Sequence, residues 1–234
     1  MNYSNRILLV NNVTTPSDIR GAFREYMPSK PTIFHDREEL VGEISIRLCD
    51  DDTTSRRVRI LGPGGMGKTF VALAVVESPA VRSKHGLRCY WVPCVNAPSP
   101  PDLLDILHIQ LGFPRTTDIL GGILVKLNED KGSTLLLLDK FETAWFPSRG
   151  KTKSVDDILF WLNECRHVTI LLTVRLLSKT NDTCDHIDWH TIHLQPVSNE
   201  ASRLIIHSMP CIRIRKKIPT LTHCRRLLDT CRTQ

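Results

Sequence analysis

The sequence predicts an α/β fold, a three-layer sandwich with a mostly parallel central sheet, and three observations carry that prediction. Apolar, β-branched runs alternate with amphipathic stretches at a spacing that suits right-handed crossovers between parallel strands. The run TLLLLD (134–139) is unbroken and closed by an acid, as expected of a strand buried on both faces. The segment GPGGMGKTF (62–70) lies between a strand pattern and a helix pattern. It fits the phosphate-cradling spacing G-x-x-x-x-G-K-[ST] at Gly62, Gly67, Lys68 and Thr69.

The elements follow in order. DIRGAFREYM (18–27) has the makings of a short helix, but residues 1–32 carry no strong period and read as an arm or linker. In REELVGEISIRLC (37–49) apolar residues recur at Leu40, Val41, Ile44 and Leu48, a helical face that Asp36 is placed to cap. RRVRIL (56–61) alternates like a strand, and KTFVALAVVES (68–78) reads as the helix after the loop. CYWVPCV (89–95) is a strand candidate, followed by a helix in SPPDLLDILHIQLG (99–112) with Pro in its first turn and Gly after its end. ILGGILVKLNED (119–130) is a weaker helix because of its paired glycines. SVDDILFWLNECR (154–166) is an amphipathic helix whose first turn holds two Asp, favourable to its dipole. VTILLTVR (168–175) and WHTIHL (189–194) are further strands, and NEASRLIIHS (199–208) is a helix with Ser198 as N-cap.

Bulk composition narrows the function classes. With 234 residues, 41% of them hydrophobic, the chain can bury a real core, and no stretch approaches eighteen consecutive apolar residues. The N-terminal apolar run is short and interrupted by Asn, so no secretory leader is expected, and a cytoplasmic location is. Eight scattered cysteines without a C-x-x-C pair signal neither zinc nor a disulfide framework. Residues 210–234 hold seven basic side chains against Asp229 alone, which accounts for the whole net charge of +6. The rest of the chain is balanced, so nucleic acid is an unlikely partner on this reading.

In a phosphate loop the glycines let successive backbone N–H groups face the anion, and the next helix adds its positive N-terminus. Gly62, Pro63, Gly64, Gly65, Met66, Gly67, Lys68, Thr69 and Phe70 form the candidate cofactor-binding stretch. Lys68 would reach the β- and γ-phosphates of a nucleotide, and the Thr69 hydroxyl would hold Mg²⁺. Asp139, closing a neighbouring buried strand, is the candidate second Mg²⁺ ligand; an ordinary strand-end acid is the alternative. Glu142 is a candidate general base for an attacking water; a helix-cap or surface acid is as good a reading. Arg175, just past VTILLTV, is placed to contact the γ-phosphate, or else is a solvated strand-end cation.

Taken together, IFHDREEL (33–40), ILGPGGMGKTFVALAV (60–75), LLLLDKFETAW (135–145), ILLTVR (170–175) and LQPVSNEASRLI (194–205) resemble, in order and spacing, the signal-transduction ATPases with numerous domains. More narrowly they look like the NB-ARC/NACHT-like members found in fungi. The resemblance covers about residues 31–208. It implies a P-loop NTPase fold of the AAA+/STAND-like kind and an ATP/ADP-operated switch that needs Mg²⁺. It also implies slow or no hydrolysis, and self-association or partner proteins engaged through flanking domains. Carried over by position, Phe34 and Arg37 match a motif that passes close to the adenine, with Asp36 where Gly is usual, a change that removes backbone freedom. Asp139 matches the magnesium acid and Arg175 the first sensor. Lys140 stands where a small, acidic or amide residue is usual, and a cation there would compete with Mg²⁺ if it pointed inward.

The expected organisation is an arm or linker (1–32), a nucleotide-binding domain (33–208) and a basic divergent or aberrant tail (209–234). The G-L-P-L motif and winged helix that the resemblance leads one to expect are not found after residue 208. Two other classes compete with the switch: an interaction module that uses nucleotide only as a structural ligand, and a small-molecule P-loop kinase, for which no compact Arg-rich lid is visible. A GTPase is disfavoured, since Asn128-Glu129-Asp130-Lys131 has the letters of N-K-x-D in the wrong order.

Overall fold

A computed structural model describes residues 27–32, 34–50, 56–114, 116–129, 132–145, 152–175 and 187–208. Eight helices and five strands alternate along these residues, in the order α1 (Glu38–Cys49), β1 (Arg57–Gly62), α2 (Lys68–Glu77), α3 (Pro79–His85), β2 (Cys89–Pro93), α4 (Pro100–Leu111), α5 (Ile119–Glu129), β3 (Thr134–Asp139), α6 (Glu142–Trp145), α7 (Thr152–Glu164), β4 (Val168–Arg175), β5 (His190–His193) and α8 (Asn199–Ser208). The strands form one sheet in the order β2-β3-β4-β1-β5, and every pairing is parallel. The candidate helix at 18–27 lies almost wholly outside the described residues, as does the basic tail.

Two apolar layers explain why the central strands read as continuous hydrophobic runs. In β3, Leu135 and Leu137 face a cluster with Ile44 and Leu48 of α1, Val71, Leu73, Val75 and Val76 of α2 and Val81 of α3. Leu136 and Leu138 face the opposite cluster, with Leu103 and Leu107 of α4, Ile123 of α5 and Leu159 of α7. Successive strand side chains point to opposite faces, so a strand covered on both sides has no polar phase. The expected three-layer α/β sandwich is therefore what the chain forms.

Several boundaries differ from expectation, each for a local reason. The stretch 68–78 ends at Ser78, whose hydroxyl then caps a separate helix, α3, by accepting from Val81 N at 3.4 Å, with Pro79 at its first position. Strand β2 stops at Pro93 and turns through Cys94–Asn96. Helix α7 begins at Thr152, two residues earlier than read, so Asp156 and Asp157 are not in its first turn. Asp36 does not cap α1: Arg37 occupies the N-cap position without a side-chain bond. The four described cysteines are free thiols, with Cys94 and Cys165 buried.

The end of the sheet opposite the loop is tied by one buried cation. Arg57 donates to the Asn163 side-chain oxygen at 2.6 Å, to Asn163 O at 2.8 Å and to Val168 O at 2.7 Å, joining β1, α7 and β4. Burial lowers its pKa to about 10, and the three acceptors meet the need of a buried donor fork.

Candidate functional site

Gly62, Asp139 and Arg175 are the last residues of β1, β3 and β4, so parallel pairing brings all three to one edge of the sheet. In open α/β sheets this carboxyl edge is where ligands bind. Asp139 is not on the strand next to β1, as the sequence reading had it. Strand β4 lies between them, with Gly62 opposite Arg175 in register.

The loop leaves β1 and turns into α2 through Gly67, whose φ of 85° lies in the left-handed region that a side chain resists. Unlike α3 and α4, which Ser78 and Ser99 cap, α2 has no side-chain cap. Its first-turn amides and the positive end of its dipole therefore face the loop. A Cβ on Gly64 would stand 3.2 Å from the Arg175 guanidinium carbon, so glycine lets this cation lie directly over the loop. Pro63, Gly64 and Gly65 are exposed, whereas Met66 tucks against the core beneath α2. Phe70 is 52% exposed on the first turn of α2.

The Lys68 ammonium donates to Gly62 O and Pro63 O, each at 2.7 Å, which holds it across the mouth of the loop. Desolvation lowers its pKa; the Glu142 and Asp139 carboxylates oppose that shift and Arg175 adds to it. One residue on, the Thr69 hydroxyl donates to Asp139 Oδ1 at 2.8 Å across 70 positions of sequence. Asp139 is 2% exposed. A buried carboxylate needs such partners, and a second hydroxyl, Thr173 Oγ1 on β4, donates to the same oxygen at 2.7 Å.

Thr173 also fixes the turn after β3. Its Oγ1 accepts from Lys140 N at 2.9 Å and its carbonyl accepts from Phe141 N at 2.9 Å, with Lys140 at a φ of 57°. The Lys140 side chain is exposed, where water and salt screen its charge from the candidate Mg²⁺ donors. Glu142 opens α6, and its Oε2 accepts from Arg175 N at 3.0 Å. The candidate base is thus bonded to the backbone of the candidate sensor.

Phe34 and Arg37 lie in the segment before α1 rather than on the loop. Phe34 packs against the α1–α2 cluster, and an Arg37 guanidinium nitrogen donates to Gln195 O. Asp36 takes a φ of 63°, so an Asp adopts the left-handed conformation for which glycine is suited. Its Oδ2 accepts from Ser198 N at 2.7 Å. The structure thus gathers Gly62 to Phe70 with Asp139, Glu142 and Arg175, and adds Thr173, which the sequence reading missed. A threonine in the apolar run LLTVR, two residues before the Arg, was the available signal. A cleft of about 160 Å³ lined by Met27, Glu77, Arg82, Trp91 and Gln110, among others, shares none of these residues. We place the site at the loop because the charged groups converge there.

The donor set fits a hard cation. Thr69 and Asp139 supply oxygen ligands side by side, and among the described residues no cluster of three or more His, Cys, Asp or Glu competes as a metal site. Mg²⁺ is commonly held by one or two protein oxygens plus phosphates and water.

No protein-family model matches the sequence, and no curated protein is similar to it. Solved structures are. The Aeropyrum pernix ORC1 protein in complex with DNA aligns at a TM-score of 0.59 and 14% identity, over 83% of this chain and 54% of that one. Cdc6p from Pyrobaculum aerophilum aligns at 0.58 and 15%, over 83% and 53%. The Aeropyrum pernix ORC2 protein, described in ADPNP–ADP complexes, aligns at 0.53 and 21%, over 70% and 49%. The chain spans about half the length of these proteins. At such identities the likeness speaks for the fold, and with the all-parallel five-stranded sheet it gives the chain an α/β fold of the P-loop NTPase kind.

Proposed function

We propose that the chain is an ATP/ADP-binding switch domain of the signal-transduction ATPase type. On this reading it holds nucleotide and Mg²⁺ through Gly62–Phe70 and Asp139, and hydrolyses slowly or not at all. The observation that carries the proposal is the Thr69–Asp139 hydrogen bond, which brings the two candidate Mg²⁺ ligands together where an uncapped helix N-terminus faces a glycine loop. In this site the first-turn amides of α2 and the Lys68 ammonium bind phosphate oxygens. Lys68 exchanges the carbonyls of Gly62 and Pro63 for these oxygens. Arg175 adds a second cation over Gly64, and Thr69 and Asp139 hold the metal. Bound Mg²⁺ neutralises phosphate charge.

Slow turnover has its own support in Glu142. A general base must reach the attacking water, and this carboxylate is bonded to Arg175 N instead. The same contact is what a module using nucleotide only as a structural ligand would have, so that reading stands as the alternative. The likeness to a protein solved with DNA leaves the expectation against nucleic acid without support. Among the described residues no helix is long and apolar enough to cross a membrane.

Calorimetric titration of the full chain with ADP or ATP, each with Mg²⁺, tests the proposal. Binding is expected, and Lys68→Ala is expected to weaken it by roughly ten- to a hundredfold, the worth of a charge-assisted hydrogen bond set. Absence of binding at millimolar nucleotide, in wild type and variant alike, would remove the proposal. Glu142→Gln then separates the readings: altered residual hydrolysis or nucleotide exchange supports the switch, and no change in either supports the structural ligand.

A further inference from the structure

The segment before α1 and the segment after β5 are far apart in sequence and meet at two points. Asp36 Oδ2 accepts from Ser198 N at 2.7 Å across 162 positions, and Arg37 donates to Gln195 O across 158. The bond from the Ser198 amide also holds the Asp36 carboxyl below its ordinary pKa, so it is charged at neutral pH.

What lies beyond these contacts makes them matter. Helix α8 buries a single side chain, Ala201, while Leu204 and Ile206 are 47% and 51% exposed. Ser198 Oγ caps it internally by accepting from Ala201 N at 3.1 Å. With so little apolar contact, the placement of α8 depends on the segment 195–198 being held. The residue just before that segment reaches the end of β1, where the loop begins. Leu194 N donates to Leu61 O at 2.7 Å, and a Cβ on Gly62 would stand 3.4 Å from Leu194 Cβ. The two contacts therefore sit where the last strand passes the start of the phosphate loop.

We propose that Asp36 and Arg37 form a latch that positions α8, tying it to the segment before α1 so that the helix is an arm released when the latch opens. Asp36 is a positioning residue in this device. It is suited to the task because it accepts the left-handed backbone that glycine would take and adds a charged acceptor that glycine lacks. The use of the latch as part of a nucleotide switch rests on the function proposed above; the latch itself does not.

Hydrogen exchange of the full chain, read by mass spectrometry on peptides from α8 and from β3 and β4, tests it. Local opening sets exchange in each element separately. In Asp36→Gly, which keeps the backbone conformation and removes the acceptor, exchange in α8 is expected to rise a few-fold, the loss of one solvent-exposed charge-assisted bond. Exchange in β3 and β4 is expected to stay as in wild type, and adding Arg37→Ala is expected to raise α8 exchange further. If the glycine variant does not fold, Asp36→Asn gives the same reading with a smaller rise. Unchanged α8 exchange in these variants, or an α8 already unprotected in wild type, would overturn the latch. Repeating the measurement with ADP and Mg²⁺ keeps the two proposals apart. Added nucleotide is expected to slow α8 exchange in wild type more than in Asp36→Gly. A failed titration would remove that second effect and leave the first standing.

Discussion

Helices α2 and α8 are both ten residues long, yet they are built on opposite principles. Helix α2 buries six consecutive residues, Val71 to Val76, between the sheet and helices α1 and α3, and it has no side-chain cap. Helix α8 buries only Ala201 and is capped by Ser198. Each fully buried aliphatic side chain contributes about 1.5–3 kcal/mol, so α2 is fixed by its flanks and can leave its N-terminal amides for a ligand. Helix α8 has a Ser198 cap on one first-turn amide and lacks that burial, so polar contacts with a distant segment decide where it stands. The lesson is that a candidate phosphate-binding helix gains its open N-terminus from burial elsewhere along its length.

The largest expected effect addresses that contrast directly. Leu73 is 1% exposed in α2, and Leu73→Ala is expected to lower stability by about 2–5 kcal/mol in chemical denaturation. Leu204→Ala in α8 is expected to change it by less than about 0.5 kcal/mol. Equal losses at the two positions would break the comparison.

The next effect sharpens the core side through pH. His85 ends α3, is fully buried and shares a hydrogen bond between its Nδ1 and Ser133 Oγ at 3.0 Å, while its Nε2 has no partner. Burial lowers its pKa to about 4, with Lys84, Arg88 and Arg56 acting in the same direction and the Ser133 backbone against it. The unfolded chain takes up this proton near pH 6.5 and the folded chain only near pH 4. Above pH 6.5 both states are neutral and the group has no effect. As pH falls from about 6.5 to about 4, stability is expected to drop by on the order of 2 kcal/mol. His85→Gln is expected to flatten that part of the profile; an unchanged slope in this variant would show that other groups carry it.

Local chemistry was legible in the sequence and long-range geometry was not. Gly62, Gly67, Lys68 and Thr69 announce a phosphate loop because its backbone needs are met within eight residues. The leucines of 135–138 announce a doubly covered strand because both faces are apolar. Strand order leaves no local trace, which is why Asp139 was expected beside β1 and is separated from it by β4. Asp36 read as a helix cap because a cap is the nearest use for a short acid before a helix. Its partner, Ser198, is 162 positions away and no spacing rule points to it. Helix α3 was missed for the opposite reason. Its Ser78-Pro79 start signal follows α2 directly, so Ser78 reads as the end of that helix and residues 79–85 are left without an element.

The smallest expected effect concerns the residue that connects the loop to the acid. Strand β4 carries two buried threonines, Thr169 at 0% exposure and Thr173 at 1%, and the sequence treats them alike. Thr173 Oγ1 donates to Asp139 Oδ1 and accepts from Lys140 N, whereas Thr169 Oγ1 has no hydrogen-bond partner. Removing a hydroxyl from a bonded pair leaves the remaining partners unsatisfied, and removing an unbonded one relieves a desolvated polar atom. Thr173→Val is therefore expected to cost about 1 kcal/mol and to weaken Mg²⁺-dependent nucleotide binding several-fold, because Asp139 then relies on Thr69 alone to orient it. Thr169→Val, a substitution of the same shape four residues away in the same strand, is expected to be neutral or slightly stabilising. Denaturation and titration of the two variants side by side check both. If they behave alike, the Thr173–Asp139 contact contributes nothing to the candidate site, and orientation of Asp139 falls to the turn at Lys140 and Phe141.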